Sequence, residues 1–232
     1  MVRELGLVGL AQSEYLYHFT GRRRSWPHWV PKEIQLMTPM KRLDAILRER
    51  QFRAFAPFGA AKEGQGPNGT ARVCFSECPP EHFDHLILMR GFMPWAIVTT
   101  REHVNRLGGG AVAYVPPQVH EEFVRAGLGH WAVRTEPNST WLHEREWRVP
   151  RPKGRAGLAS VTAILIGYAD WRPTKVPTGQ WVDGLSGEEL PGPEAPGAVQ
   201  LEDYPALWKE SPVWVWDSER REVVKYRPGE LS

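Results

Sequence analysis

In the stretch Trp141-Leu142-His143-Glu144-Arg145-Glu146-Trp147-Arg148-Val149-Pro150, charged and apolar residues alternate. A period of two is the signature of a strand, where residues two apart share a face. Glu144, Glu146 and Arg148 therefore fall on one side, with Trp147 and Val149 on the other. The apolar side requires a packed layer beneath it, so the chain must build a sheet with one covered face at this point. The charged side admits two readings. It is either the wall of a polar cleft or a half-solvated strand held by an internal ion pair.

The rest of the chain supplies more short elements of this kind. With 22 Gly and 21 Pro in 232 residues, turns and loops interrupt the pattern often. Tyr15 to Thr20 is aromatic-rich and reads as a strand with His18 and Thr20 on one face. Thr38-Pro39 is a helix start, with Thr38 as N-cap and Pro39 in the first turn, and Leu43, Ile46 and Leu47 give the buried stripe of a helix running to about Arg50. Further strands are expected at Arg72 to Ser76, Trp95 to Thr99, Ala111 to Val115, Glu144 to Val149 and Val161 to Ile166. Helices are expected from about Glu81 to Arg90, through Val104 and Leu107, and from Pro117 through Val119, Phe123 and Val124. Trp214 to Trp216 and Val223 to Tyr226 flank a turn and read as a hairpin. Irregular alternation of short strands and helices points to an α+β domain. Residues 1–172 form its core, 173–200 a Gly/Pro-rich loop, and 201–232 a C-terminal hairpin extension packed on that core.

A formal net charge of +2 gives no global electrostatic argument for a nucleic-acid partner. Locally, Arg22-Arg23-Arg24 is followed by Trp26, His28, Trp29 and Lys32, and basic residues interleaved with aromatics suit a phosphate-bearing ligand or a nucleic-acid backbone. A solvated basic loop explains the same residues. The two cysteines, Cys74 and Cys78, have no second pair, and His82 and His85 follow too closely for the usual closed zinc modules. No metal is expected, and reduced structural thiols are the plain reading. No secretory signal opens the chain and no run of 18 apolar residues occurs, so a cytoplasmic protein with no membrane partner is expected.

Polar side chains placed on strands are the candidates for chemistry: His18 and Thr20, Ser76 with Glu77 beside it, and Glu144, Glu146 and Arg148. Each taken singly is an ordinary half-exposed position. Converging on one cleft, they suit cleavage of an N-glycosidic bond, where a carboxylate stabilises cationic character at an anomeric carbon. A Ser-His-Glu hydrolase is the competing chemistry, but Cys74-Phe75-Ser76-Glu77 lacks the glycines of a nucleophile elbow.

The blocks Tyr17-His18-Phe19-Thr20, Leu43-Asp44-Ala45-Ile46-Leu47, Val73-Cys74-Phe75-Ser76-Glu77 and Glu144-Arg145-Glu146-Trp147-Arg148 resemble, in order and content, those of the AbiGi-like phage-resistance proteins. That group in turn resembles the ADP-ribosyltransferase superfamily. The resemblance covers roughly residues 15 to 170. It implies split mixed or antiparallel sheets with flanking helices around a cleft, with NAD bound there as substrate and its nicotinamide–ribose bond cleaved. Carried over residue by residue, His18 with Thr20 matches the early H-x-T block, Ser76 the hydroxyl of the middle block, and Glu146 the catalytic second carboxylate of E-x-E. Glu144 matches the first, acceptor-side carboxylate. Glu77 joins the NAD-binding set, and Arg53 enters as a candidate phosphate contact. The middle block departs from the family in lacking a Ser-Thr-Ser run. On this reading the chain transfers ADP-ribose to a nucleic acid, a protein or a small acceptor, in a prokaryotic defence or toxin system. The alternative is a non-enzymatic phage-defence or toxin–antitoxin module of the same fold, holding a protein, an antitoxin or a nucleic acid. The two differ in what surrounds Glu146: an open cavity shared with His18 and Glu144, or an ion pair with Arg148.

Overall fold

The fold is described from a computed structural model, which covers residues 12–23, 32–55, 70–137, 144–159 and 161–232. The parts of the basic-aromatic, Gly-rich and Trp141–His143 segments that fall at 24–31, 56–69 and 138–143 lie outside these residues. The architecture is mixed α+β, with several sheets and flanking helices. In chain order the elements begin with β1 (Tyr15–Phe19), α1 (Lys32–Gln35), α2 (Pro39–Glu49), β2 (Gln51–Arg53), β3 (Arg72–Glu77) and β4 (Ala96–Thr100). Next come α3 (Arg101–Arg106), β5 (Gly110–Ala111), β6 (Ala113–Val115), α4 (Pro117–Arg125), β7 (Ala132–Arg134), β8 (Glu146–Pro150), β9 (Arg155–Gly157) and β10 (Ala163–Ile166). The last are β11 (Val176–Asp183), β12 (Glu189–Leu190), β13 (Ala198–Asp203), α5 (Ala206–Glu210), β14 (Val213–Asp217) and β15 (Glu222–Tyr226).

Eight strands make the central sheet, in the order β15-β14-β10-β4-β1-β3-β8-β5. Every pairing is antiparallel except β10 with β14. The C-terminal hairpin therefore extends the central sheet itself. The expected Gly/Pro-rich loop at 173–200 contains strands of the separate sheet β12-β11-β13.

Because paired residues on adjacent strands point to the same side, the register sorts the whole sheet into two faces. One face carries Leu16, Phe75, Trp147, Ile97, Ile164 and Val213, and is closed by Leu43 and Leu47 of α2, Val104 of α3, and Leu207 and Trp208 of α5. The other carries Tyr17, Val98, Ala163, Leu165, Trp214 and Trp216, and is closed by Phe83, Leu86, Ile87 and Phe92. Both faces are covered, so the apolar runs of β4 and β10 are buried on both sides, as Val, Ile and Ala at consecutive positions require.

Thr38 caps α2 as expected, its hydroxyl accepting the Lys41 N–H at 3.2 Å. The expected helix from about Glu81 to Arg90 is present but irregular: a 3₁₀ turn (Pro80–His82) runs through Phe83 and Asp84 into a π turn (His85–Met89), closed by Arg90 N–H on the His85 carbonyl at 3.2 Å. Phe83, Leu86 and Ile87 are nevertheless buried as their spacing demands, so side-chain burial is kept while the backbone widens to deliver it. In α4, Val119 is exposed and His120 buried, because this helix packs against the Gly129–Trp131 turn and β7 instead of the central sheet.

Gly109 joins α3 to the sheet edge. A Cβ there would lie 2.7 Å from the Arg148 carbonyl and from methyls of Val104 and Val149, all three backbone or core neighbours with nowhere to move. Gly109→Ala is expected to cost about 1–3 kcal/mol by overpacking, measurable in a urea melt.

Candidate functional site

The three strands bearing the polar blocks are neighbours. β1 pairs with β3, and β3 with β8. Tyr17 lies opposite Ser76, and Ser76 opposite Glu146; on the other side Tyr17 faces Val98, which faces Ala163. One continuous row thus crosses five strands, with Ser76 and Glu146 at its polar end. Ser76 and Glu146 are cross-strand neighbours on one face, and the residue of β1 that shares their face is Tyr17.

His18 occupies the opposite face. It pairs with Ile97 and packs edge-on to Phe52 and Phe75, with ring centroids at 4.7 and 5.8 Å. Its Nδ1–H donates to the Cys74 carbonyl at 2.9 Å. Burial holds the imidazole below its usual range, against the opposing effect of that hydrogen bond. His18 is therefore a neutral ring at neutral pH, with Nδ1 protonated and Nε2 left as an acceptor. The Thr20 hydroxyl is engaged with the Pro39 and Trp95 carbonyls at 2.8 and 3.0 Å, tying the end of β1 to α2 and β4. Glu77 also lies on the His18 side. Its carboxylate accepts the Ser13 N–H at 3.2 Å and the Trp147 indole N–H at 2.8 Å, anchoring the buried ring of β8. Arg53 sits on β2, outside the central sheet, and pairs with Glu49 at 3.1 Å.

Glu144 and Glu146 do not share a face through strand alternation. β8 begins at Glu146, and Arg145 takes a left-handed backbone with φ of 43°. The turn sends Glu144 to Arg22, whose guanidinium donates to both carboxylate oxygens and stacks on Phe92 at 3.9 Å. Glu146 turns to Arg148, on the same face two residues on. Nε donates to Oε1 and Nη2 to Oε2, each at 2.9 Å. The remaining Arg148 nitrogen donates to the carbonyls of His130 and Ala132 at 2.9 and 3.2 Å. The Glu146 backbone N–H donates to the Tyr114 hydroxyl at 2.8 Å.

Burial by itself raises the Glu146 carboxyl, but the Arg148 charge and its two hydrogen bonds overcome this and hold it below the usual range. Arg148 shows the reverse balance: burial works against its charge, and Glu146 more than restores it. Beside this pair lies Arg72, 2% exposed, whose Nε and Nη2 have no hydrogen-bond partner. Burial, then the Arg148 charge, draws it down to about 9. Cys74, between them on the same face, is pushed up to about 12 by burial and by Glu146, so it is a thiol. The cluster holds two guanidiniums against one carboxylate, and Glu146 is 17% exposed on its side chain. Its net charge is positive.

Among the described residues, no group of three or more His, Cys, Asp or Glu is placed to hold a metal ion, and no helix is long and apolar enough to cross a membrane. Tyr114, Arg72 and Tyr17 were not among the residues the sequence singled out. Arg72 alone carried a signal, since it alternates with Cys74 and Ser76 along β3. No protein-family model, no curated protein and no solved structure matches the chain.

Proposed function

We propose that this chain is a non-enzymatic binding module of the phage-defence or toxin–antitoxin kind, holding a protein or nucleic-acid partner. The observation that carries this reading is the two-pronged ion pair between Glu146 and Arg148. An oxocarbenium-like transition state is stabilised by negative potential. Here the carboxylate is neutralised at contact distance, and Arg72 adds a further buried positive charge. His18, the other anchor of an NAD site, lies across the sheet in an aromatic pocket.

A second reading, the NAD-consuming ADP-ribosyltransferase, is favoured by a different observation. The three polar blocks occupy adjacent strands, with Ser76 directly opposite Glu146. On that reading Glu146 is the catalytic carboxylate, Glu144 lies on the acceptor side, and a bound NAD displaces the guanidinium of Arg148.

Incubation of the full chain with NAD, with free nicotinamide measured over time, separates the two. The binding module releases none above buffer. Glu146→Gln is then expected to lower unfolding stability by about 2–3 kcal/mol, because Arg148 keeps a hydrogen-bond partner but loses its counter-charge. Nicotinamide release that disappears in Glu146→Gln at unchanged stability would establish the transferase and overturn the proposal.

A further inference from the structure

Among the described residues, two buried nitrogens without a hydrogen-bond partner belong to a single guanidinium, that of Arg72. Arg72, Cys74 and Ser76 share a face of β3, and β8 sets Pro150, Arg148 and Glu146 opposite them. Arg72 therefore lies beside an ion pair that is already complete, since Arg148 occupies both oxygens of Glu146. Its Nη1–H donates to the Thr70 carbonyl at 3.1 Å, which anchors that end of the group. Nε and Nη2 remain. They form one edge of the guanidinium, with N–H bonds that run parallel. Arg148 shows what such an edge takes: the same two nitrogens hold the two oxygens of Glu146, each at 2.9 Å. The Cys74 thiol next to Arg72 is only a weak acceptor. His130, whose carbonyl Arg148 holds, is a second residue of this cluster with a buried unpaired atom, Nδ1. Buried donors left unmet call for a ligand or a water.

We infer that the Nε–Nη2 edge of Arg72 binds a small free carboxylate, of the size of formate or acetate. Shape selects the class first: two parallel donors in one plane match two coplanar oxygens, the arrangement the neighbouring pair already displays. Charge agrees. Arg72 and Arg148 against Glu146 leave one positive charge, which a monovalent anion balances and a phosphate dianion overshoots. Arg72 carries that charge at neutral pH, although burial, then Arg148, draws it down to about 9. Glu146 does not turn the ligand away, because Arg148 occupies both its oxygens and acts on Arg72 more strongly than Glu146 does. Burial sets the size: at 2% exposure, Arg72 has no room beside it for a macromolecule bearing the carboxylate. The inference takes the ion pair as it stands and uses neither the binding nor the transferase reading, so its failure leaves both untouched.

Thermal melts of the full chain at neutral pH and constant ionic strength, in sodium formate, acetate, chloride or phosphate, test the site. Formate and acetate are expected to raise the melting temperature saturably above its value in chloride, by about 3 °C at tenfold excess over the dissociation constant. N-acetyl-aspartate amide, which carries its carboxylate as a protein chain does, should bind more weakly than acetate by roughly tenfold or more. Arg72→Met should abolish the gain in formate without lowering the melting temperature in chloride, because the variant no longer buries an unpaired charge. Arg72→Lys keeps the charge but loses the parallel donors. It should weaken formate binding by roughly tenfold or more, and it decides the matter if the methionine variant fails to fold. No gain in either carboxylate would leave water as the partner of Arg72 and overturn the inference. So would a larger gain in phosphate, tighter binding of the aspartate amide, or a formate effect retained in the Arg72 variants.

Discussion

Arg148→Met is expected to lower unfolding stability by about 3–5 kcal/mol at neutral pH, the largest loss of any polar substitution in the chain. The replacement fills similar volume, so the loss is electrostatic. It leaves the Glu146 carboxylate buried beside a depressed Arg72 and takes the donor from the carbonyls of His130 and Ala132. The pH dependence identifies the cause. In the wild type, Glu146 is held below its ordinary 4.5, so its contribution is fully present above that pH and is lost as pH falls through the folded value. Without Arg148, burial dominates and the carboxyl rises. The variant then binds a proton more readily folded than unfolded, and its deficit shrinks as pH falls from 7 toward 5. Urea melts across this range measure both slopes. A variant whose deficit stays constant with pH would place the carboxylate in water.

Phe83→Ala is expected to cost about 3–5 kcal/mol. Phe83 is completely buried and meets Tyr17 edge-on at 4.6 Å, with Phe19 and Trp216 each at 6.2 Å. The segment that carries it is a short irregular helix that pairs with no strand, so ring contacts such as these tie it to the sheet. Thermal or denaturant unfolding checks the value. A loss below about 1 kcal/mol would mean that the turn is loosely attached and the second face of the sheet is open.

How much of this was legible in the sequence depends on whether the cause was local. The alternation of Glu146, Trp147, Arg148 and Val149 fixes which side chains share a face of β8, and the Thr38-Pro39 start fixes α2, because each rests on residues a few positions apart. Whether His18 shares a face with Glu146 is set by two registers, β1 with β3 and β3 with β8, between strands distant in sequence. A slip of one residue exchanges Tyr17 for His18, and no local pattern distinguishes the two. The split between Glu144 and Glu146 was hidden for a different reason. Arginine has no preference for positive φ, so Arg145 gave no sign that alternation stops there. The strands between 176 and 203 were masked by composition: β11 contains Pro177 and Gly179, and its pairing with β13 shifts register between Pro177 and Trp181. The π turn was invisible because Phe83, Leu86 and Ile87 satisfy a helical stripe whichever hydrogen bonds carry them.

The Glu146–Arg148 pair also explains how a block resembling a catalytic one can sit in a packed sheet edge. Arg148 anchors β8 to the Gly129–Trp131 turn and β7 through two carbonyls, while Glu146 holds Arg148 in place and engages Tyr114 through its backbone. Read this way, the second carboxylate of the E-x-E block joins the sheet to the α4 region.

A double-mutant cycle on Glu146 and Arg148 tests that account most directly. Glu146→Gln, Arg148→Met and the double variant are unfolded in urea at pH 7, and the coupling energy is taken from the four stabilities. A clamped pair predicts that the double variant is far less destabilised than the sum of the singles, with a coupling of about 2 kcal/mol or more. Coupling within about 0.5 kcal/mol of zero would contradict it, and would return Glu146 to an open cleft where NAD chemistry is available to it.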